Sequence, residues 1–515
     1  MIRFLLDGQV HTLNDVDPNT TVLDYLRLTL GKTGTKEGCA SGDCGACTVV
    51  LAELNPNNHG STPPLIYTTI NSCLTLLPAL DGKQLITVEN LKHNEQLHPV
   101  QQAMVDEHGS QCGFCTPGIV MSLFAHYKNA TADTPYNRHA TELALGGNLC
   151  RCTGYQPIFN AAKALSTLSN TDQFSRNSAR TAEDLLSIKP TEQHSLSDGT
   201  HHAFSPTSTE QLCELLNLYP EANLLAGGTD LSLSITQFHE ALSTIIYVGS
   251  IAELQHIRWA NGTLVIGAAA TLSNSANALK QHLPDFAELL NRFASLQIRN
   301  QGTLGGNIAN ASPIGDSPPA LIAADASLTL RSASGSRTIN LEDFFVDYKV
   351  TALASGEYIE SIHIPPQPPQ AIYKIYKISK RLDDDISAVL GAFRIVCNSR
   401  NVIVDCRLAF GGMAATPKRA QITEAFLLGK EWNEANALAA KDLLLDDFTP
   451  LSDFRASAQY RLLIAQNLLE KCWIESTHST DKTVASTRIT DASLLAPYDL
   501  AIDVGTTASA QGDAS

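Results

Sequence analysis

Apolar and polar residues alternate from position 2 to 13, and the alternation is broken once, at Asp7-Gly8. A period of two around such a pair predicts a β-hairpin. Thr20 or Thr21 then stands where a helix cap belongs, ahead of Leu23, Leu26 and Leu30. After the glycine-studded loop KEGCASGDCGAC, apolar runs at 48–53 and 66–70 predict two strands. Between them lies the turn-rich NPNNHGSTPP (55–64), which predicts a long hairpin tip. From 99 to 168 the period becomes helical. HPVQQAMVDEHG, PGIVMSLFAHYKN, a segment holding 142–145, and 156–168 predict four helices, with Pro117 in the first turn of the second.

Residues 169–200 are rich in Ser, Thr, Asn and Asp and poor in large apolar residues, which predicts a linker. Helix and strand signals mix beyond it, around two glycine loops, LLAGGTDL and QGTLGGN, up to the proline-dense IPPQPPQ at 364–370. The expected architecture is multidomain α+β. It comprises a small sheet-and-helix domain over 1–85, a four-helix domain over 86–168, the linker 169–200, an α+β domain over 201–368 and a C-terminal α+β domain over 371–475. A Ser/Thr/Asp-rich tail, 476–515, is predicted to be disordered.

Composition narrows the function. The 515 residues carry 36 Lys+Arg against 52 Asp+Glu, a net charge of −16, which argues against a nucleic-acid partner. No apolar run approaches the length of a membrane span. Asp7 and Gly8 stand where a secretory apolar region would lie, so no signal peptide is read. Twelve cysteines without such a signal fit metal ligation in a reducing compartment, and the expected location is the cytoplasm.

Eight of those cysteines fall in two dense sets. Cys39, Cys44, Cys47 and Cys73 have the C-x4-C-x2-C…C spacing of plant-type 2Fe–2S ferredoxins. Gly38, Gly42 and Gly45 let that loop curl so that three sulfurs converge and amide N–H groups point at them. Cys112 and Cys115, then Cys150 and Cys152, each stand just ahead of a predicted helix, where free N–H groups and a partial positive charge favour an anionic cluster. The competing reading is zinc. The ferredoxin spacing of the first set and the C-x-C end of the second favour iron and sulfur. Cys213, Cys397, Cys406 and Cys472 lie apart and read as small buried residues.

The order of motifs resembles the xanthine dehydrogenase family of molybdenum hydroxylases. The matching runs are EGCASGDCGACTVV, QCGFCTPG, GNLCRCTGYQPI, LLAGGTDL, IRNQGTLGGNIANASPIGDSPPAL and SKRLDDDI, spread over nearly all of 1–475. The resemblance implies a ferredoxin-like β-grasp domain, a four-helix 2Fe–2S domain, and an α+β FAD-binding domain with a C-terminal α+β subdomain. It implies the small subunit of a bacterial two-subunit enzyme, with molybdopterin on the large subunit and two copies of each. Separate flavin and iron–sulfur chains, as in carbon monoxide dehydrogenase, fit less well because both are fused here.

Taken alone, the glycine loops are weak signals, and neither matches G-x-G-x-x-G. Their physical reading is that glycine turns let backbone N–H groups close on a pyrophosphate. The resemblance implies that Leu224-Leu225-Ala226-Gly227-Gly228-Thr229-Asp230-Leu231 and Thr303-Leu304-Gly305-Gly306-Asn307 wrap FAD. Gly228 stands where relatives often have Asn. The resemblance also implies that Phe293 covers the isoalloxazine, Asp316 takes a polar contact, and Ile359 and Lys377 complete the site. On the residues alone, Phe293 and Ile359 read as core, Asp316 as a turn residue and Lys377 as a solvated charge.

The implied function is a relay. A purine is hydroxylated at molybdenum on the partner, and electrons pass through two clusters to FAD and then NAD+. No catalytic residue for purine hydroxylation is expected in this chain. SKRLDDDI (379–386) lies where the family places a flexible loop by the flavin, so its charges are expected to bear on the choice between NAD+ and O2; a solvated charged turn is the plain alternative. The same relay serving an aldehyde or N-heterocycle hydroxylase stays open, as does a non-catalytic zinc protein.

Overall fold

The first sheet explains why the chain begins as it does. The structure is a computed structural model that describes residues 1–56, 63–130, 135–168 and 171–477. Strands β1 (Ile2–Leu6) and β2 (Gln9–Leu13) form the expected hairpin, with Asp7 and Gly8 at φ 55° and 73°. Strands β3 (Thr48–Leu54), β4 (Leu65–Asn71) and β5 (Gln84–Ile86) complete a sheet of order β2-β1-β5-β3-β4. The β1–β5 pair is parallel and the rest antiparallel. In β3 all of Thr48 to Ala52 are buried, because the sheet is covered on both faces. Val50 and Ala52 pack with the helical region, while Val49 and Leu51 pack with Phe4, Tyr25 and Leu26. Thr21, not Thr20, caps the first helix by accepting from Asp24 N. Most of the predicted hairpin tip 55–64 lies outside the described residues.

Four helices follow: Pro99–Asp106, Thr116–Asn129, Arg138–Leu145 and Gln156–Leu165. The second is central, buried continuously from Gly118 to Ala125, so its apolar residues run all round.

The stretch 169–200 is not a loose linker. It carries the helices Gln173–Arg176 and Ser178–Ile188 and the strand β6 (His194–Ser197). Leu185 and Ile188 enter the core with Leu5 and Val50. Asp172 caps the first of these helices and is itself buried. It accepts from His98 Nε2 and Lys128 Nζ, both at 2.9 Å. At the far end His194 Nδ1 lies 2.6 Å from the buried Asp81. The polar composition belongs to the outer face of this strap; a few inward side chains hold it down.

Beyond the strap, β7 (His202–Ser205), β8 (Asn223–Leu225) and β9 (Thr244–Tyr247) join β6 in the order β6-β7-β9-β8, with β9 parallel to both neighbours. A second sheet is antiparallel throughout. It contains β10 (Ile257–Ala260), β11 (Thr263–Gly267), β12 (Ser327–Ser332) and β13 (Gly335–Asn340). A small hairpin, β14 (Phe345–Asp347) and β15 (Val350–Thr351), precedes β16 (Tyr358–Ile364), which sits between β11 and β12. The C-terminal region is a sheet of β17 (Ile372–Ile378), β18 (Val389–Cys397), β19 (Ile403–Gly411) and β20 (Lys418–Arg419) packed by three helices, the last being Ala458–Thr477. Cys213, Cys406 and Cys472 are buried, and Cys397 half-buried. The tail from 478 on lies outside the described residues. Among the described residues no helix is long and apolar enough to cross a membrane.

Candidate cofactor sites

The first cysteine set sits in the loop that leads into β3. Gly42 and Gly45 take φ of 82° and 68°, which only glycine adopts cheaply. At Gly38 a Cβ would stand 2.7 Å from Cys44 Sγ. Cys39 Sγ accepts the N–H groups of Ser41 and Cys44, each at 3.4 Å. Cys47 and Cys73, both buried, hold their sulfurs 3.3 Å apart. The sulfurs fall into two pairs, Cys39 with Cys44 and Cys47 with Cys73. The hydrogen bond from Cys44 holds the Cys39 thiol down to about 4 and pushes Cys44 up. The same sharing lowers Cys47 and raises Cys73. Two sulfur pairs, with amides aimed at them, fit a dinuclear iron centre bound by two thiolates per metal.

The second set forms at two helix starts. Cys115 leads directly into Thr116–Asn129, and Cys150 and Cys152 lead through Gly154 into Gln156–Leu165. The Cys150 amide donates to Tyr155 Oη at 2.7 Å, with Tyr155 held at φ 67°. Cys150 Sγ lies 3.1 Å from Thr153 Oγ1. Here too the thiols pair, Cys112 with Cys152 and Cys115 with Cys150. The Phe114 amide lowers Cys112, while burial pushes Cys115 up to about 12. Cys112 and Cys152 are exposed, beside the half-exposed apolar side chains of Phe114 and Leu149.

The two sets are joined by backbone. The Leu149 amide donates to the carbonyl of Cys44 at 3.0 Å. Cβ atoms at Gly45 and Gly118 would each meet a backbone oxygen at 2.1 Å, Gly147 O and Gly45 O respectively.

The first set is joined in turn to the glycine loops. Ser232 Oγ donates to Leu74 O at 2.8 Å, next to Cys73. Gln301 accepts from Asn71 N at 3.1 Å and donates to Thr75 Oγ1 at 2.7 Å. Gln237 donates to Cys39 O and Ala40 O at 3.2 and 2.9 Å.

The two glycine loops touch each other: a Cβ on Gly227 would fall on Gln301 O, and one on Gly302 would stand 3.2 Å from Thr229 Oγ1. They differ in what they offer. Leu304 N and Gly305 N already donate to Ala270 O and Ala268 O, Gly306 N to Thr303 Oγ1 and Asn307 N to Thr303 O, so of the second loop's amides that of Thr303 alone donates to no described residue. In the first loop, the amides of 226–231 donate to no described residue. Beside these loops a cavity of about 380 Å³ is lined by Ala226, Gly227, Tyr247, Gln301 and Thr303. The free donors of 226–231 suit a pyrophosphate, while the missing Cβ atoms of Gly227 and Gly228 make room for Gln301 O and Leu74 O, and the second loop supplies a closely approaching wall.

Three of the remaining candidates, Phe293, Asp316 and Lys377, sit around a single loop. Phe293 is half-buried, and Arg299 donates to its carbonyl at 3.1 Å. Arg292 donates to Leu382 O at 3.3 Å, tying the loop 379–386 beside it. Burial, with the Asp43 carboxylate of the first cysteine loop, lifts Asp384 to about 6. Asp316 is buried with both oxygens engaged, by Ser387 Oγ at 2.6 Å and Lys377 Nζ at 2.5 Å. These bonds clasp both ends of the loop. Lys377 is therefore a buried, paired charge rather than a solvated one. Ile359 lies in the apolar core that Phe293 packs against.

Four family models match in order along the chain. They are a 2Fe-2S iron-sulfur cluster binding domain over 4–77, a 2Fe-2S binding domain over 87–163, an FAD binding domain in molybdopterin dehydrogenase over 199–367, and a CO dehydrogenase flavoprotein C-terminal domain over 374–476. The chain is 36% identical over 492 residues to a xanthine dehydrogenase of Emericella nidulans, aligning 85% of itself with 36% of that protein. It is 31% identical over 512 residues to xanthine dehydrogenase 1 of Arabidopsis thaliana, 86% of itself with 36% of that protein. The chain belongs to the molybdenum hydroxylase family. It spans a little over a third of the length of these relatives. A solved chain of carbon monoxide dehydrogenase from Hydrogenophaga pseudoflava matches with a TM-score of 0.50 at 29% identity, over 52% of this chain and 94% of that one. As in the family, the architecture is multidomain α+β with two 2Fe–2S domains and an FAD-binding domain.

Several residues of these sites escaped the sequence. Ser232, Gln237, Gln297 and Gln301 are among the flavin region's contacts with the other two modules. The only local signal was a run of polar residues, Gln297, Arg299, Asn300 and Gln301, placed between Phe293 and Thr303.

Proposed function

We propose that this chain is the iron–sulfur/FAD electron-transfer subunit of a xanthine dehydrogenase, carrying electrons from a molybdopterin-bearing partner to NAD+ in purine oxidation. The observation that carries this reading is the continuity of contact. Exposed Cys112 and Cys152 open one end, the Leu149–Cys44 hydrogen bond crosses between the ligand sets, and Ser232–Leu74 crosses to the glycine loops. When bound, 2Fe–2S clusters supply single-electron carriage, and FAD converts single electrons to a hydride transfer.

Cys112, Cys115, Cys150 and Cys152 hold the outer centre, where Phe114 and Leu149 leave an apolar rim for the partner. Cys39, Cys44, Cys47 and Cys73 hold the inner one, of which Cys47 and Cys73 are packed among Leu23 and Leu74. The loop 224–231 binds pyrophosphate through its free amides, and 303–307 backs it. Phe293 covers the flavin ring. Asp316, Ser387 and Lys377 fix the base of 379–386, whose carboxylates bear on the choice between NAD+ and O2. No residue of this chain acts on the purine. The full assembly is two small and two large subunits in the cytoplasm.

The test is Cys150→Ser in the purified two-subunit enzyme. It should remove one of two cluster EPR signals and slow flavin reduction by xanthine, leaving molybdenum reduction intact. Two unaltered signals would refute the ligand assignment. Absence of NADH formation from xanthine in the unaltered enzyme, with aldehyde or quinoline turned over instead, would move the partner to another hydroxylase.

A further inference from the structure

Where the three modules meet there is a closed set of polar side chains. Gln297, on the helix Leu296–Gln301 of the flavin region, is fully buried. Its Nε2 lies 3.1 Å from Asn148 Oδ1, 3.2 Å from Thr48 Oγ1 and 3.3 Å from Ser122 Oγ. These partners flank the ligands of both sets: Thr48 follows Cys47, Asn148 precedes Cys150 by two residues, and Ser122 lies on the helix that starts beside Cys115.

The polarity of the set is determined. Thr48 Oγ1 donates to Gly45 O at 2.6 Å, and Asn148 Nδ2 donates to Gly45 O and Thr48 Oγ1. Asn148 Oδ1 is then the acceptor, taking Ser122 Oγ at 2.6 Å and Gln297 Nε2. Gln297 is a donor only. Its Oε1 meets no donor among the described residues. A buried amide oxygen left bare costs about 1–3 kcal/mol, so the side chain is a poor stabiliser and its value lies in position.

We propose that Gln297 is a positioning residue for electron passage between the two clusters. By donating to Asn148 it holds the turn 147–149 so that the Leu149 amide meets the carbonyl of Cys44. That hydrogen bond joins a ligand of one set to the residue adjoining a ligand of the other, Cys150, across a single non-covalent step. The fit leaves no slack, since a Cβ on Gly147 would stand 2.3 Å from Gln297 Oε1. The step served moves one electron from the helical-domain centre, which is oxidised, to the ferredoxin-like centre, which is reduced. No bond breaks and no proton leaves. The flavin region thus sets the geometry of a transfer to which it is not itself a party.

This inference rests on the relay reading above. Its test is Gln297→Met in the full chain with both clusters and flavin bound, a change that keeps the length of the side chain and removes the donor. Iron and sulfide per chain, the thermal midpoint, the magnetic interaction between the two reduced clusters by EPR, and flavin reduction through the clusters are measured together. Full iron with both signals, a weaker interaction and flavin reduction slowed by about tenfold is the expected result, since misplacement at this scale acts on rate. An unchanged interaction and rate with a lower thermal midpoint would make Gln297 packing alone and overturn the proposal. If Gln297→Met fails to load iron, Gln297→Leu removes the same donor with a shorter side chain, and an unchanged interaction there overturns it equally. Unaltered protein lacking iron and sulfide would instead sink the relay.

Discussion

The two cysteine sets, which we propose hold like clusters, are built by opposite means. The first is a loop beside its own sheet, with Cys47 and Cys73 packed among Leu23 and Leu74 and Cys39 and Cys44 half-buried. The second stands at two helix starts and leaves Cys112 and Cys152 in contact with solvent. On the relay reading proposed above, the difference matches the end that each would serve. A centre that must meet another subunit needs an open edge with an apolar rim, whereas one that feeds a flavin in its own chain can be closed, and closure strengthens the electrostatic pull of every N–H aimed at it. Glycine conformation shapes the first set and helix polarity the second.

The largest test of that contrast is at the ligands. Cys73→Ser should abolish the inner centre's EPR signal and lower the thermal midpoint sharply, because it leaves a hydroxyl in a sealed apolar site. Cys152→Ser should abolish the outer signal with little change in midpoint. Equal losses of stability would erase the distinction between a closed and an open site.

Next in size is the strap beneath the helical domain. Asp172→Asn leaves Lys128 buried beside a neutral partner and should cost about 3–5 kcal/mol in denaturant unfolding, with both cluster signals retained. The same carboxylate has an acid signature. Although burial opposes it, hydrogen bonds from His98 and Lys128 hold Asp172 well below the ordinary carboxylate range. A depressed folded value means that its contribution is complete above roughly pH 4, the unfolded value, and is lost as pH falls through the folded one. The wild-type protein should show that extra acid slope, and Asp172→Asn should not.

Glycines sharpen the comparison at a smaller scale. Gly45→Ala meets Gly147 O at a position with φ 68° and should cost about 2–3 kcal/mol by crowding and strain together, weakening both signals. Gly113→Ala, at φ 85° with nothing within 4 Å, should cost only the strain, about 1 kcal/mol. Urea titration of both variants decides it.

An effect of comparable size has the reverse sign. Asp384 is raised to about 6 by burial, with the Asp43 charge adding to it. A raised carboxyl favours the fold below the unfolded value, near pH 4, and that advantage is lost as pH rises through about 6. Asp384→Asn should therefore stabilise the protein by about 1–2 kcal/mol at pH 7.5 and leave it unchanged at pH 4. A variant equally stable at both would mean that the carboxylate is free in solvent.

Local signals in the chain determined a good deal unaided. The hairpin at Asp7-Gly8, the four helices, the strand at Thr48 and the ferredoxin spacing of Cys39, Cys44 and Cys47 are short-range patterns, and they survive because period and spacing are properties of neighbours in sequence. The strap over 169–200 was misread because composition averages a polar outer face with the few residues, Leu185, Ile188 and Asp172, that point inward. Lys377 read as a solvated charge because its partner, Asp316, lies 61 residues away. The second glycine loop looked like a donor cradle, and only packing against 268–270 revealed that the amides of Leu304 and Gly305 were already in use. Which sulfurs pair, which set faces outward, and the contacts of Gln297 between modules were decided by tertiary structure alone. Each depends on groups brought together from distant segments, and no window of local sequence carries the energy of such a meeting.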